Sequence, residues 1–196
     1  MRLVTAILVL GTCVLLSGIP VSAGPDCSAT GTAEMTNGPG YIGYWKYCYE
    51  ICWTELTHGA SHLDVFLMLE DCACLCKPGY FAFADTVGSG PGEDGCTVYY
   101  HASFLCEGDP TMGNGLPTIK FEYFETGCEP CDCGAAYVCF YSVAAPIPEG
   151  QYEDAIGIKF GTECLTGCLM GVMPSCDTDA SATENTCWGG VKALYR

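Results

Sequence analysis

Seventeen cysteines constrain this chain more than any other feature. Some are clustered. "DCACLCKPG" puts Cys72, Cys74 and Cys76 at alternate positions, and "CEPCDC" holds Cys128, Cys131 and Cys133. The start of the chain bears on what the clusters are for. "MRLVTAILVLGTCVLLSGIPVSAG" has a basic start at Arg2, a mostly apolar run to about Leu16, a break at Pro20 and small residues before Gly24. This is the pattern of a secretory signal peptide cut near Ala23. The run falls short of the ~20 residues that a spanning helix needs. Cleavage takes Cys13 away and leaves an even number, sixteen: Cys27, Cys48, Cys52, Cys72, Cys74, Cys76, Cys96, Cys106, Cys128, Cys131, Cys133, Cys139, Cys164, Cys168, Cys176 and Cys187. An exported chain meets an oxidising compartment, where disulfides persist. The expectation is a disulfide framework of up to eight bridges, with connectivity open. Cys72, Cys74 and Cys76 then act as separate anchors on one side of an extended segment, because i to i+2 pairs in a strand are badly placed for bridging.

The rest of the chain alternates. In "YWKYCYEICWTEL", one face carries Trp45, Tyr47, Tyr49, Ile51 and Trp53, and the other carries Lys46, Cys48, Glu50, Cys52 and Thr54. Side chains alternate across a strand, so this reads as a strand with an aromatic core face. "SHLDVFLMLE", "GYFAFAD", "CTVYYHASFLC", "PTIKFEYFE", "AYVCFYSVA", "AIGIKFG" and "CLTGCLMGVM" continue the rhythm, separated by turn chemistry such as "GSGPGEDG" and "EGDPTMGNGLP". Short strands with Gly/Pro turns and no long amphipathic helix predict an all-β, disulfide-rich antiparallel sandwich. The divisions are a signal peptide (1–23), a loosely held lead-in (24–40), the β-sandwich (41–176) and a linker with a C-terminal tail (177–196).

Charge narrows the partners. The formal net charge is −16, and loss of Arg2 with the leader makes it −17. Such a surface repels phosphate backbones and anionic lipid, so no nucleic acid is expected as a partner. No late apolar segment follows the leader, so no membrane span is expected in the mature chain.

Four constellations bear on chemistry. The cysteine clusters offer thiolates for zinc or copper, but export favours disulfides. "CEPC" (Cys128, Cys131) resembles a redox motif, yet a loop and a strand follow it rather than the helix that would activate its thiol. His58, His62 and His101 could hold zinc only if brought together, and nothing in the sequence does so; His62 reads as a ring bonded to backbone at a strand start. Glu122 with Glu125, Glu70 with Asp71, and Glu153 with Asp154 are carboxylate pairs, which in so acidic a chain read as solvated faces. Calcium at "DTDAS" (177–181) or "GEDG" (92–95) is the one cofactor expectation, and both lack full EF-hand spacing. No residue is assigned a catalytic, cofactor-binding or metal-binding role.

"ASHLDVFL" (60–67) resembles the Ser-His signature of a family of uncharacterised bacterial secreted domains. "TIKFEYF" (118–124), "AIGIKFG" (155–161) and "TGCLMGVMPSC" (166–176) are similar to its later segments, so the resemblance covers roughly residues 40–176. It implies an exported β-sandwich without an assigned activity. The high cysteine count departs from that pattern. The functional expectation is a secreted, disulfide-stapled, non-catalytic module that is structural, adhesive or ligand-binding, its partner an extracellular protein or glycan. The alternative is a small secreted hydrolase using acidic residues.

Overall fold

The computed structural model describes residues 25–67, 75–124 and 127–175. The leader, Cys72, Cys74, Cys176, Cys187, "DTDAS" and the carboxylates Glu70, Asp71 and Glu125 lie outside them. The described residues form twelve strands: β1 (Asp26–Met35), β2 (Trp45–Thr54), β3 (Ala60–Phe66), β4 (Phe81–Ala82), β5 (Gly88–Pro91), β6 (Thr97–Leu105), β7 (Thr118–Tyr123), β8 (Gly134–Ser142), β9 (Ala145–Pro146), β10 (Gly150–Phe160), β11 (Glu163–Gly171) and β12 (Pro174–Ser175). Among them no helix is long and apolar enough to cross a membrane.

The all-β expectation holds, but the architecture is a barrel and not a sandwich. One sheet runs β2-β1-β11-β10-β3-β7-β6-β5-β8, and β8 pairs back onto β2, which closes nine strands; β4 pairs along β8. Closure removes the free edges that a sandwich leaves exposed. Nor is the sheet wholly antiparallel, because β1 runs parallel to β11 through Ser28–Cys168 to Thr30–Met170. The 24–40 stretch is more than a lead-in, since β1 pairs with β2 over ten residues. Its small residues fit under a large ring: a Cβ on Gly31 would stand 2.6 Å from the Tyr49 ring.

The barrel interior is the core. Tyr47, Tyr49, Ile51 and Trp53 of β2 point inward as their alternation predicts, meeting Leu63, Val65, Ile119, Phe121, Val138, Phe140 and Ile158. Phe140 stacks near Tyr47 and Tyr49, with ring centroids 5.4 and 5.8 Å away. The polar tips of these buried aromatics find backbone acceptors. Tyr47 donates to the Ala144 carbonyl at 2.8 Å, Tyr49 to Val172 at 3.0 Å and Trp53 Nε1 to Cys131 at 3.1 Å.

Three disulfides lie within the described residues: Cys48–Cys139, Cys76–Cys106 and Cys96–Cys128. Cys168 is also disulfide-bonded. Cys48–Cys139 bridges directly opposed residues of β2 and β8, at the seam that closes the barrel. Cys76–Cys106 ties the end of β6, where a long loop begins, to a distant turn. Cys27, Cys52, Cys131, Cys133 and Cys164 carry free thiols, so pairing stops short of the whole set. Cys27 is sealed between β1 and β11, where a Cβ on Gly167 would stand 2.6 Å from its sulfur.

Candidate functional site

The outer face of β3 carries an unusual row. Alternation sends Leu63 and Val65 inward, so His62, Asp64 and Phe66 point out, yet all three are buried. The 106–117 loop between β6 and β7 covers them. Gly157 on β10 leaves the room: a Cβ there would stand 2.4 Å from the Phe66 ring and 2.6 Å from the Met112 methyl of the loop. Asp109, at the turn of that loop, is only 1% exposed. Its Oδ1 accepts from Thr111 N at 2.7 Å and Thr111 Oγ1 at 2.6 Å, which fixes the carboxylate toward the strand.

Strand register brings the other charges in. His62 lies opposite Glu122 of β7, which lies opposite His101 of β6. Asp64 lies opposite Lys120. His62 Nε2 stands 3.2 Å from Asp109 Oδ2, 3.7 Å from Asp64 Oδ2 and 3.4 Å from Thr111 Oγ1. Lys120 Nζ bridges Asp109 Oδ2 at 3.1 Å and Glu122 Oε1 at 2.8 Å. Asp64 is different: it is fully buried, and neither oxygen has a hydrogen-bond partner. Lys159, beside His62 on β10, points away and donates to the Gly161 and Glu163 carbonyls.

Burial, helped by neighbouring Asp109, pushes the Asp64 carboxyl up to about 8. Burial and the Lys120 cation push the His62 imidazole down to about 4, despite the attraction of Asp109. Burial opposes the Asp109 charge, but the Thr111 and Lys120 hydrogen bonds hold its carboxyl below the usual range. His62 therefore presents a neutral ring beside an ionised Asp109 and a carboxyl that lacks compensation. Donor atoms of His62, Asp64 and Asp109 lie within 4.8 Å of one another and could hold a metal ion.

Of the histidines, His62 alone enters this cluster. Its ring meets side chains of the loop rather than backbone. His101 sits two strands away, 3.6 Å from Glu122, and is partly exposed. His58 is exposed at the barrel mouth, in an open cleft of about 660 Å³ that also carries Glu93, Asp94, Glu129 and Asp132. "GEDG" contributes Glu93 and Asp94 to that rim in a short 3-10 turn. The Glu153–Asp154 pair falls where β10 shifts register, and Asp154 accepts from Thr166 Oγ1 at 2.8 Å. Cys128 of "CEPC" bonds to Cys96 rather than to Cys131. Asp64, Asp109 and Lys120 were not singled out from the sequence. One signal was legible: Asp64 interrupts an apolar strand in phase with His62.

A second feature lies further round the barrel, on β6, β5 and β8. Tyr99 of β6 and Tyr137 of β8 face outward at 48% and 56% exposure, on either side of Ser89 in β5. Strand β5 reads Gly-Ser-Gly-Pro, so almost no side chain rises between the rings. Backbone packing requires this at Gly88, whose Cβ would stand 2.1 Å from the Tyr137 carbonyl oxygen. The result is a groove of about 370 Å³ with Cys139, Tyr141 and Lys46 along one side. Tyr41 stacks on Tyr141 at 3.8 Å and extends the aromatic wall.

The chain matches no protein-family model, no curated protein and no solved structure. The likeness to secreted Ser-His domains thus rests on short motifs alone.

Proposed function

We propose that the protein is a secreted, non-catalytic binding module that takes a carbohydrate chain in the tyrosine groove of its outer wall. The observation that carries this reading is the pair of half-exposed tyrosines flanking a strand nearly free of side chains. A sugar ring has a flat C–H face that packs on an aromatic ring and a hydroxyl rim that needs polar partners. Ser89, Thr86 and Lys46 are the polar groups along this groove. The Cys48–Cys139 bridge beside it holds β2 to β8, so less ordering is required on binding. Export, through the leader ending near Ala23, belongs to the same reading and accords with the disulfides.

The hydrolase alternative finds less support. Of its carboxylate pairs only Glu153–Asp154 lies wholly within the described residues, and there Asp154 accepts a hydrogen bond from Thr166. The buried acid cluster found among the described residues is covered by a loop, where a polymer chain would not reach.

The test is binding of the purified chain to a panel of soluble and insoluble polysaccharides. Tyr99→Ala and Tyr137→Ala should each weaken capture by about tenfold or more with the melting temperature unchanged. A chain that binds no polysaccharide of the panel, or a double variant that binds like the parent, would overturn the reading.

A further inference from the structure

We propose that His62, Asp64 and Asp109 bind one divalent transition-metal cation, zinc or manganese, which fastens the 106–117 loop to the barrel wall. The site is independent of the tyrosine groove. Its first support is Asp64, a carboxylate with no exposure and two oxygens that meet no donor. Buried carboxylates are ordinarily hydrogen-bonded, paired or bound to metal, because leaving one bare is costly. The second is charge. Asp109 and Glu122 face Lys120 as the lone cation of the cluster, and Asp64 ionised on binding would leave two negative charges for a divalent ion to neutralise.

Geometry and ligand chemistry narrow the ion. Donors at about 2.0–2.2 Å from zinc stand roughly 3.4 Å from each other in a tetrahedron. His62 Nε2 lies 3.2 and 3.7 Å from oxygens of the two aspartates, and all three donors stand within 4.8 Å of one another, so an inward shift brings them onto three corners. An imidazole with two carboxylates suits zinc or manganese, whereas calcium and magnesium take all-oxygen shells. A proton on Asp64 is the competing arrangement. It lacks a good acceptor, since the nearest imidazole nitrogen stands at 3.7 Å. Thr111 braces Asp109 from behind, and Lys120 with Glu122 closes the flank, which are the supports that orient metal ligands. Two ligands come from one strand and the third from the loop, so the ion acts as a clip. Cys76–Cys106 secures the same loop at its root.

The test uses the full chain, stripped with chelator and with accessible thiols alkylated so that cysteine cannot bind the ion. Calorimetric titration with Zn²⁺ or Mn²⁺ should give one site per chain. Hydrogen exchange should slow in residues 106–117 when the ion is added. Asp64→Asn should weaken binding by at least about tenfold. In chelator it should melt close to the parent's temperature, because an amide replaces a buried acid whose oxygens already lack hydrogen-bond partners. Asp109→Asn tests the same site from the loop, and Asp94→Asn, on the open rim, should bind as the parent does. No binding by either ion, or equal binding by Asp64→Asn, Asp109→Asn and the parent, would overturn the proposal, and Asp64 would then be a neutral buried acid.

Discussion

At the residue scale, the free thiols divide by burial. Cys27 is 4% exposed, and burial, with Asp26 and Asp154 nearby, pushes its thiol up to about 12. Thiolate is the reactive form, so at pH 8 only about one Cys27 in ten thousand is reactive even where reagent reaches it. Cys133 and Cys164 are exposed. Brief alkylation of the folded, unreduced chain should therefore label Cys133 and Cys164 and spare Cys27, which reacts once the chain is denatured. Peptide mass mapping reads both results. Labelling of Cys27 in the native state at the rate of Cys133 would show that β1 opens readily from β11.

At the element scale, the seam between β1 and β11 is the only parallel pairing of the barrel among the described strands, and it depends on a close backbone approach. A Cβ on Gly167 would stand 2.0 Å from the Cys27 carbonyl oxygen. Gly167→Ala should cost about 1–3 kcal/mol, typical of overpacking, measured by denaturant unfolding. A neutral result would mean that the strands part there without penalty. This seam also explains what the sequence could and could not disclose. The alternation from Trp45 to Trp53 is legible because each ring reports one buried face. Strand β1 is not, because "DCSATGTAEM" shows small residues where Tyr49 fills the space. Barrel and sandwich look alike in such patterns, since both bury one face of each strand. The choice is made by β8 pairing with β2 and β11 with β1, contacts between segments far apart in the chain. The His62–Asp64 phase was legible too. The burial of Asp109 was not, because a Gly/Pro-rich loop gives no hint that it folds back over a strand.

At the scale of the whole molecule, charge runs against compactness. The formal net charge is −16, while the ion pairs among the described residues gather around the His62 cluster and its flank. Among the described residues most other carboxylates stand outside these ion pairs and repel one another across the barrel surface. Salt screens that repulsion over about 10 Å at 0.1 M. It screens few attractive surface pairs in return, since Lys120 and Asp109 are largely buried. Raising sodium chloride from about 10 to 150 mM should therefore stabilise the fold. Relief of about 1 kcal/mol corresponds to a rise of roughly 2–4 °C in melting temperature for a chain of this size. The measurement belongs in chelator, so that no divalent ion contributes. It also separates two kinds of stabilisation: sodium should raise the melting temperature of Asp64→Asn as much as the parent's, because screening acts on the whole surface. A fall in melting temperature with added salt would mean that the ion pairs around Lys120 outweigh repulsion over the rest of the barrel.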